Sequence, residues 1–266
     1  MKIFYNSSLF RSGGTLIQNI LAQNPNFYCT PSSGLKDLLR GSLSSFETSE
    51  HNYSLSREVF KKSFYNFIKE GFKGYASSFS STPYFLDKSQ SWNMYYPLLK
   101  DIFGEVKMLY FVRDLRSVFS SFEKNIRKNP SYSVPNLLIQ DTENRIGETI
   151  HNHQLSIELS YIKQRILEKN FNEILFIKYE DFTLNPHYYL SKIYSFFSIP
   201  EYSHDLNHIS QLVFDNDDIF YPLGDHKIYN SIQNFKIDYK EILGEDISNK
   251  IYKEYEWYFK IFNYKE

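Results

Sequence analysis

MKIFYNSSLFRSGGTLIQNILAQNPNFYCT, residues 1–30, decides the fold. Lys2 to Leu9 reads as a strand. From Thr15 to Gln23 the apolar residues fall at 16, 17, 20 and 21, a helical spacing. Asn24-Pro25 ends that helix, and Phe27 to Thr30 reads as a second strand. At the junction of strand and helix stand Arg11, Ser12, Gly13, Gly14 and Thr15. Two glycines let the backbone wrap closely around a ligand. A helix start presents unpaired N–H groups and the positive end of its dipole. Ser12 and Thr15 add hydroxyls, and Arg11 adds a charge able to grip an anion through two parallel bonds. The junction is built like a nest for phosphate or sulfate, although the same five residues also fit a plain strand-to-helix turn.

The alternation continues outward. Helices are predicted at Ser56–Phe72, Trp92–Phe103, from Asp114 to about Lys128, over 141–169, at Pro186–Phe197 and at Ile247–Phe262. Strands are predicted at Tyr84–Leu86, at Lys107–Val112 and at Glu173–Tyr179. KMLYFV at 107–112 is continuously apolar after its lysine, as a strand buried on both faces should be. Residues 201–245 read as irregular and polar. Strands alternating with helices specify an α/β protein whose central parallel sheet is flanked by helices. Ligands of such sheets bind at the carboxyl ends of strands. Arg11, Lys88 and Arg113 each follow a predicted strand.

Bulk properties narrow the class. The 266 residues, 42% hydrophobic, are enough for a packed core, and nothing in them marks a linker or a repeat, so one domain over 1–266 is expected. Thirty basic residues against 31 acidic ones leave no basic excess for nucleic acid. Cys29 is the single cysteine, so no intrachain disulfide forms and a reducing compartment is the default. Arg11 interrupts any signal-peptide core, and no apolar run approaches a membrane span. A cytoplasmic protein without membrane attachment is expected.

Further segments add to the nest. Arg113 ends a strand, and Ser121, eight residues on, lies near the same face of the following helix; the pair suits a second phosphate. LDKSQSW (86–92) supplies Lys88 and the Trp92 indole, which fits either ring stacking or a core anchor. ILFIKYEDFTLNP (174–186) places Tyr179 at a strand end, and Glu180-Asp181 suits a helix start. The G-x-x-x-x-G-K-[ST] and G-x-G-x-x-G patterns are both missing.

Together these segments resemble the sulfotransferases that use 3′-phosphoadenosine 5′-phosphosulfate (PAPS), the bacterial and phage-type branch and the tyrosylprotein group above all. RSGGTLIQNILAQNP resembles the 5′-phosphosulfate loop. FVRDLRSVFSS resembles the 3′-phosphate motif, and LDKSQSW and IKYEDFTLNP resemble two further blocks. The resemblance implies a P-loop-NTPase-like sulfotransferase fold, with PAPS as donor and its desulfated form PAP as product. It assigns Arg11, Ser12, Gly13, Gly14 and Thr15 to the 5′-phosphosulfate, and Arg113 and Ser121 to the 3′-phosphate. Tyr179 would lie near the nucleotide, Lys88 by the transferring group, and His226 or Lys227 in a late loop, YPLGDHKIYNS (221–231), folded over PAPS. Phe10 stands where the family usually has Pro, Gly14 where it has Ser or Thr, and Gln90 where many relatives carry Arg. CTPSSG (29–34) holds no carboxylate where the tyrosylprotein group carries its catalytic Glu.

Sulfuryl transfer needs cations and N–H groups at the leaving phosphate and a base for the acceptor's proton. Arg11 and Lys88 suit the first role. Asp37, Glu47, Glu50, His51 and Asp87 are candidates for the second, with Asp37 nearest the expected place, although it fits a solvated helix carboxylate as well. The acceptor is an open choice among small molecules, glycans and peptides. Two other classes stay open: a non-catalytic PAPS- or phosphate-binding protein, and a P-loop-like small-molecule kinase. His151 and His153 lie two apart on a predicted helix and face different sides. His204 and His208 have an i, i+4 spacing but no evident third ligand, so no metal site is expected.

Overall fold

The computed structural model describes residues 1–49, 56–128, 141–150, 153–214, 226–232 and 239–265. Five parallel strands form one sheet: β1 (Lys2–Asn6), β2 (Phe27–Ser32), β3 (Tyr84–Lys88), β4 (Met108–Val112) and β5 (Ile174–Lys178), in the order β2-β3-β1-β4-β5. The chain moves to one side of β1 to lay down β2 and β3, then to the other for β4 and β5. The strand order therefore reverses between β1 and β4, and a crevice opens at their carboxyl ends.

The period-two alternation of side chains sorts the strand residues into two cores. Phe4, Leu109, Phe111, Leu175 and Ile177 pack on one face against α1 (Gly14–Leu21), α8 (Tyr179–Leu184) and α9 (Pro186–Phe197). Tyr5, Met108, Tyr110, Val112 and Ile174 pack on the other. There they meet α3 (Arg57–Phe79), α4 (Tyr96–Phe103), α5 (Leu115–Lys128), α7 (His153–Leu167), α10 (Tyr239–Glu254) and α11 (Glu256–Ile261). All five residues of β4 are buried, as its apolar run requires.

Local chemistry sets the element ends. Asn185 precedes α9 and Pro186 opens it, where its missing N–H costs nothing. Ser56 caps α3 by accepting the Val59 N–H at 3.4 Å. Gly104, at φ 80°, ends α4.

Several expectations change. The first strand ends at Asn6 by regular pairing, yet Ser7 N–H and Leu9 N–H still donate to Leu109 and Phe111 carbonyls of β4, at 2.9 and 3.2 Å. Extended backbone thus runs to the edge of the nest, as expected. The helix α2 (Leu35–Thr48) was not anticipated. The expected helix over 141–169 is α6 (Thr142–Ile150) and α7, with 151–152 outside the described residues. The closing helix starts earlier, at Tyr239, so 201–245 is not irregular throughout. It kinks where Gly244 takes φ 78°. No helix among the described residues is long and apolar enough to cross a membrane.

Candidate functional site

The cleft at the β1/β4 crevice is assembled from loops following β1, β3, β4 and β5. Arg11 (φ 57°) and Gly13 (φ 96°) are both left-handed, and together they turn the chain from β1 into α1. Gly13 permits a second closeness. A Cβ there would stand 2.5 Å from Cδ2 of Tyr179, so the ring lies directly on the glycine backbone. The Asn6 side-chain amide donates to the Gly14 carbonyl at 3.2 Å, and the Ser8 hydroxyl donates back to Asn6 Oδ1.

The three predicted cations meet here. Arg113 Nη1 donates to the Arg11 carbonyl at 2.7 Å. Arg11 Nε donates to the Ser121 hydroxyl at 2.9 Å. Lys88 Nζ donates to Thr15 Oγ1 at 3.0 Å. The Arg113 guanidinium lies over the Tyr179 ring, 4.6 Å from its centroid. Arg113 Nε is buried and has no hydrogen-bond partner, an unmet donor of the kind an anion satisfies. The Arg113 backbone is gripped from behind by α11. The Tyr258 hydroxyl donates to its carbonyl at 2.9 Å and accepts from its N–H at 3.2 Å. Burial raises the Glu180 carboxyl above its usual range. That carboxyl accepts from the Asp114 N–H and the Tyr264 hydroxyl, at 3.2 and 2.9 Å.

Ser12 departs from its expected role. It is fully buried, and its hydroxyl points to the Leu9 and Phe111 carbonyls rather than into the cleft. It fastens the loop to β4. Asp37 is not brought into the cluster either. Leu35 and Leu39 turn into the core, and Asp37 is rotated about 200° from Leu35 at 100° per residue. Its side chain is 53% exposed beside Lys36 and Arg40, at 3.4 and 3.5 Å. Glu47 is exposed on the same helix, and Glu50 and His51 lie outside the described residues. Asp87 is fully buried, and burial pushes its carboxyl up to about 7. It accepts from the Trp92 indole N–H at 2.8 Å. Trp92, 0% exposed and edge-on to Tyr5 at 5.0 Å, is a core anchor rather than a stacking platform.

The late segment reaches α1 through a residue that the sequence did not single out. Asn19 Oδ1 accepts the Leu212 and Val213 N–H groups at 2.7 and 2.8 Å, while its Nδ2 donates to the Thr15 carbonyl at 2.9 Å. The His226 carbonyl accepts from Gln211 Nε2 at 3.4 Å, and Lys227 is exposed. Residues 221–225 lie outside the described residues. His204 and His208 diverge. His204 is buried with Nε2 2.9 Å from the Tyr194 hydroxyl, and burial lowers it to about 4. His208 is exposed against Asp205 at 3.0 Å. His151 lies outside the described residues, as does the His153 side chain.

Another polar group sits on the opposite face of the sheet. Glu158 of α7 accepts from the Tyr110 hydroxyl through Oε2 at 2.9 Å, and its Oε1 has no hydrogen-bond partner. Asn93 is fully buried with neither end of its carboxamide bonded. One signal for Glu158 was present. It stands three residues after Leu155 and four before Ile162, a carboxylate on the buried stripe of its helix.

No curated protein matches the sequence. Among the solved structures similar to it in fold are three sulfotransferases or sulfotransferase domains. They are the sulfotransferase domain from the curacin biosynthetic pathway (16% identity, TM-score 0.53, 95% of this chain and 96% of that one), the sulfotransferase domain of the Synechococcus PCC 7002 olefin synthase (20%, 0.50, 96% and 94%) and a sulfotransferase from Alicyclobacillus acidocaldarius (13%, 0.50, 82% and 88%). The parallel sheet flanked by helices is thus the P-loop-like sulfotransferase fold. The model of the sulfotransferase family matches residues 7–204, which carry the nest, Lys88, Arg113 and Tyr179. The chain belongs to the sulfotransferase family.

Proposed function

We propose that the protein moves a sulfuryl group from PAPS to an acceptor hydroxyl. One observation carries this reading: Arg11, Lys88 and Arg113, from three distant parts of the chain, converge in one cleft through the Arg113–Arg11 and Lys88–Thr15 bonds. A doubly anionic ligand suits that cleft. The buried Arg113 Nε lacks an acceptor.

In this reading the 5′-phosphosulfate lies against the first N–H groups of α1, with Arg11, Thr15 and Lys88 around it. The helix dipole and two cations meet the charge that grows on the leaving phosphate. Arg113 and Ser121 take the 3′-phosphate, and Tyr179 holds the Arg113 plane. His226 and Lys227 flank the nucleotide from the late segment. Ser12 contributes through the loop it fastens. The acceptor oxygen attacks sulfur in line, and the S–O bond to phosphate breaks with its electron pair going to PAP.

Thermal shift with PAPS, PAP, ATP and NADH tests the donor. Stabilisation by PAPS and PAP alone is expected. Equal stabilisation by ATP with Mg²⁺ would favour a kinase instead. Release of labelled sulfate from PAPS to hydroxylated acceptors tests the transfer.

A further inference from the structure

The transfer needs a proton acceptor, and the carboxylates nearest the nest in sequence do not serve. Asp37 faces solvent, and Asp87 is locked to Trp92. Glu158 is different. It is 4% exposed, one oxygen is held by Tyr110, and the other makes no well-formed hydrogen bond, with only the Ser91 hydroxyl close to the carboxyl. Buried polar atoms without partners are uncommon and call for an explanation.

Its position follows from its neighbours. Ser7, directly after β1, donates its hydroxyl to the Gln90 carbonyl at 2.9 Å and accepts the Asn93 N–H at 2.9 Å. Residues 90–93 are thereby pinned at the carboxyl ends of β1 and β3, two to five residues beyond Lys88. The turn Trp92–Tyr95 packs against α7, and the Ser91 hydroxyl lies alongside the Glu158 carboxyl. Lys36, whose charge also reaches Glu158, stands one turn beyond Ser33, whose N–H donates to the Lys88 carbonyl at 3.2 Å. Glu158 therefore sits over the strand ends that carry Lys88, on the sheet face opposite α1.

Building on the donor reading above, we infer that Glu158 and Asn93 form the acceptor subsite: Glu158 Oε1 receives the proton of the attacking hydroxyl, and the Asn93 carboxamide holds a neighbouring oxygen of the same molecule. A carboxamide offers one donor and one acceptor face, and a carboxylate offers only acceptors. That set matches a neutral hydroxylated acceptor, a sugar or an alcohol, rather than an anionic one. The step balances. The acceptor O–S bond forms as the S–O bond to the 5′-phosphate breaks, PAP keeps the electron pair, and the proton passes to Glu158. Burial holds the Glu158 carboxyl up at about 7, near the optimum for a base at neutral pH. The groups that face it from neighbouring elements are Tyr110 of β4, Lys36 of α2 and Ser91 of the turn.

The test uses labelled PAPS with water, methyl β-D-glucopyranoside and 2-phenylethanol as acceptors, alongside thermal shift with PAP. Glu158→Gln should keep the PAP stabilisation and lose sulfuryl transfer by ~10²–10⁴-fold. Wild-type transfer should fall as pH drops below about 7. Tyr110→Phe, which removes a hydroxyl that favours the ionised carboxylate, should move that acid limb upward. Asn93→Ala should raise KM for the glucoside and leave the limb in place. Wild-type transfer in Glu158→Gln overturns the assignment, as does a limb that Tyr110→Phe does not move. Protein that binds PAP yet releases sulfate to none of these acceptors overturns it and leaves the donor reading standing. Protein that does not bind PAP overturns both.

Discussion

Replacing Gly13 by alanine should disable the cleft without touching a charged group. Two costs add. At φ 96° an L-residue pays for a sparsely populated conformation, ~1–3 kcal/mol. The new methyl would also lie 2.5 Å from Cδ2 and 2.9 Å from Cε2 of Tyr179, so the ring must retreat by about an ångström to reach ordinary contact. It cannot retreat freely, because the Arg113 guanidinium is stacked on it at 4.6 Å. Moving the ring gives up some of a cation–π contact worth ~0.5–2 kcal/mol, and it displaces the guanidinium assigned to the 3′-phosphate. A loss of ~2–4 kcal/mol in folding stability is expected, with PAP binding at least ~10-fold weaker. Urea unfolding and PAP titration calorimetry measure the two. A double-mutant cycle with Tyr179→Ala separates the costs. Without the ring, Gly13→Ala should lose only the backbone share, leaving a coupling of ~1 kcal/mol or more. Equal penalties in both backgrounds would refute the ring argument, and no penalty in either would refute the whole account.

Arg113→Ala should abolish stabilisation by PAP, and Arg113→Lys should recover little of it, since a lysine lacks the planar fork stacked on Tyr179; thermal shift decides both. Asn19→Ala leaves two backbone N–H groups without their acceptor and should cost ~2–4 kcal/mol in urea. Unchanged stability in this variant would show that the fastening of 212–213 to α1 is misread. Asp87→Asn concerns pH. Burial raises the folded-state pKa of Asp87 from 3.8 to about 7, so the folded chain keeps a proton that the unfolded chain has lost. Stability must therefore fall as pH rises through that window, by ~4 kcal/mol at most. Asparagine mimics the protonated form and can still accept from Trp92. The variant should match wild type near pH 4 and exceed it at pH 8 in chemical denaturation, and an unchanged difference between those pH values would refute the assignment.

The parts of this molecule legible in the sequence are those whose cause is local. β4 and β5 announce themselves as apolar runs, and α9 by its opening proline. Arg11, Lys88 and Arg113 could be placed at strand ends without knowing which strands are neighbours. A parallel sheet gathers its carboxyl ends on one edge whatever their order. Where the cause is not local, the reading failed. Helix α2 carries Leu35, Leu39, Leu43 and Phe46 at helical intervals, but Gly41 and several Ser and Thr residues interrupt the pattern, so no element was assigned there. Asp37 could be read as a base or as a solvated helix carboxylate, and its exposure beside Lys36 and Arg40 fits the second. Ser12 looked like a ligand donor by composition. Only the pairing of Ser7–Leu9 with β4 shows why its hydroxyl is already used.

The two halves of the proposed reaction differ in legibility for the same reason. The donor side needs full charges and an exposed helix start, and these survive in a short stretch because backbone geometry carries most of the work. The acceptor side needs a base matched to neutral pH. A carboxylate does not supply that alone, since an ordinary one is too weak a base and must be raised by its surroundings. Burial beneath helix α7 raises it, while Tyr110 from β4, Ser91 after β3 and Lys36 from α2 each draw it back down, and these segments meet only when α7 packs across the sheet. A base tuned by burial has to be written across the chain. Its one local trace is an acidic residue at Glu158, on a face where the helix otherwise buries Leu155, Leu159, Ile162 and Arg165.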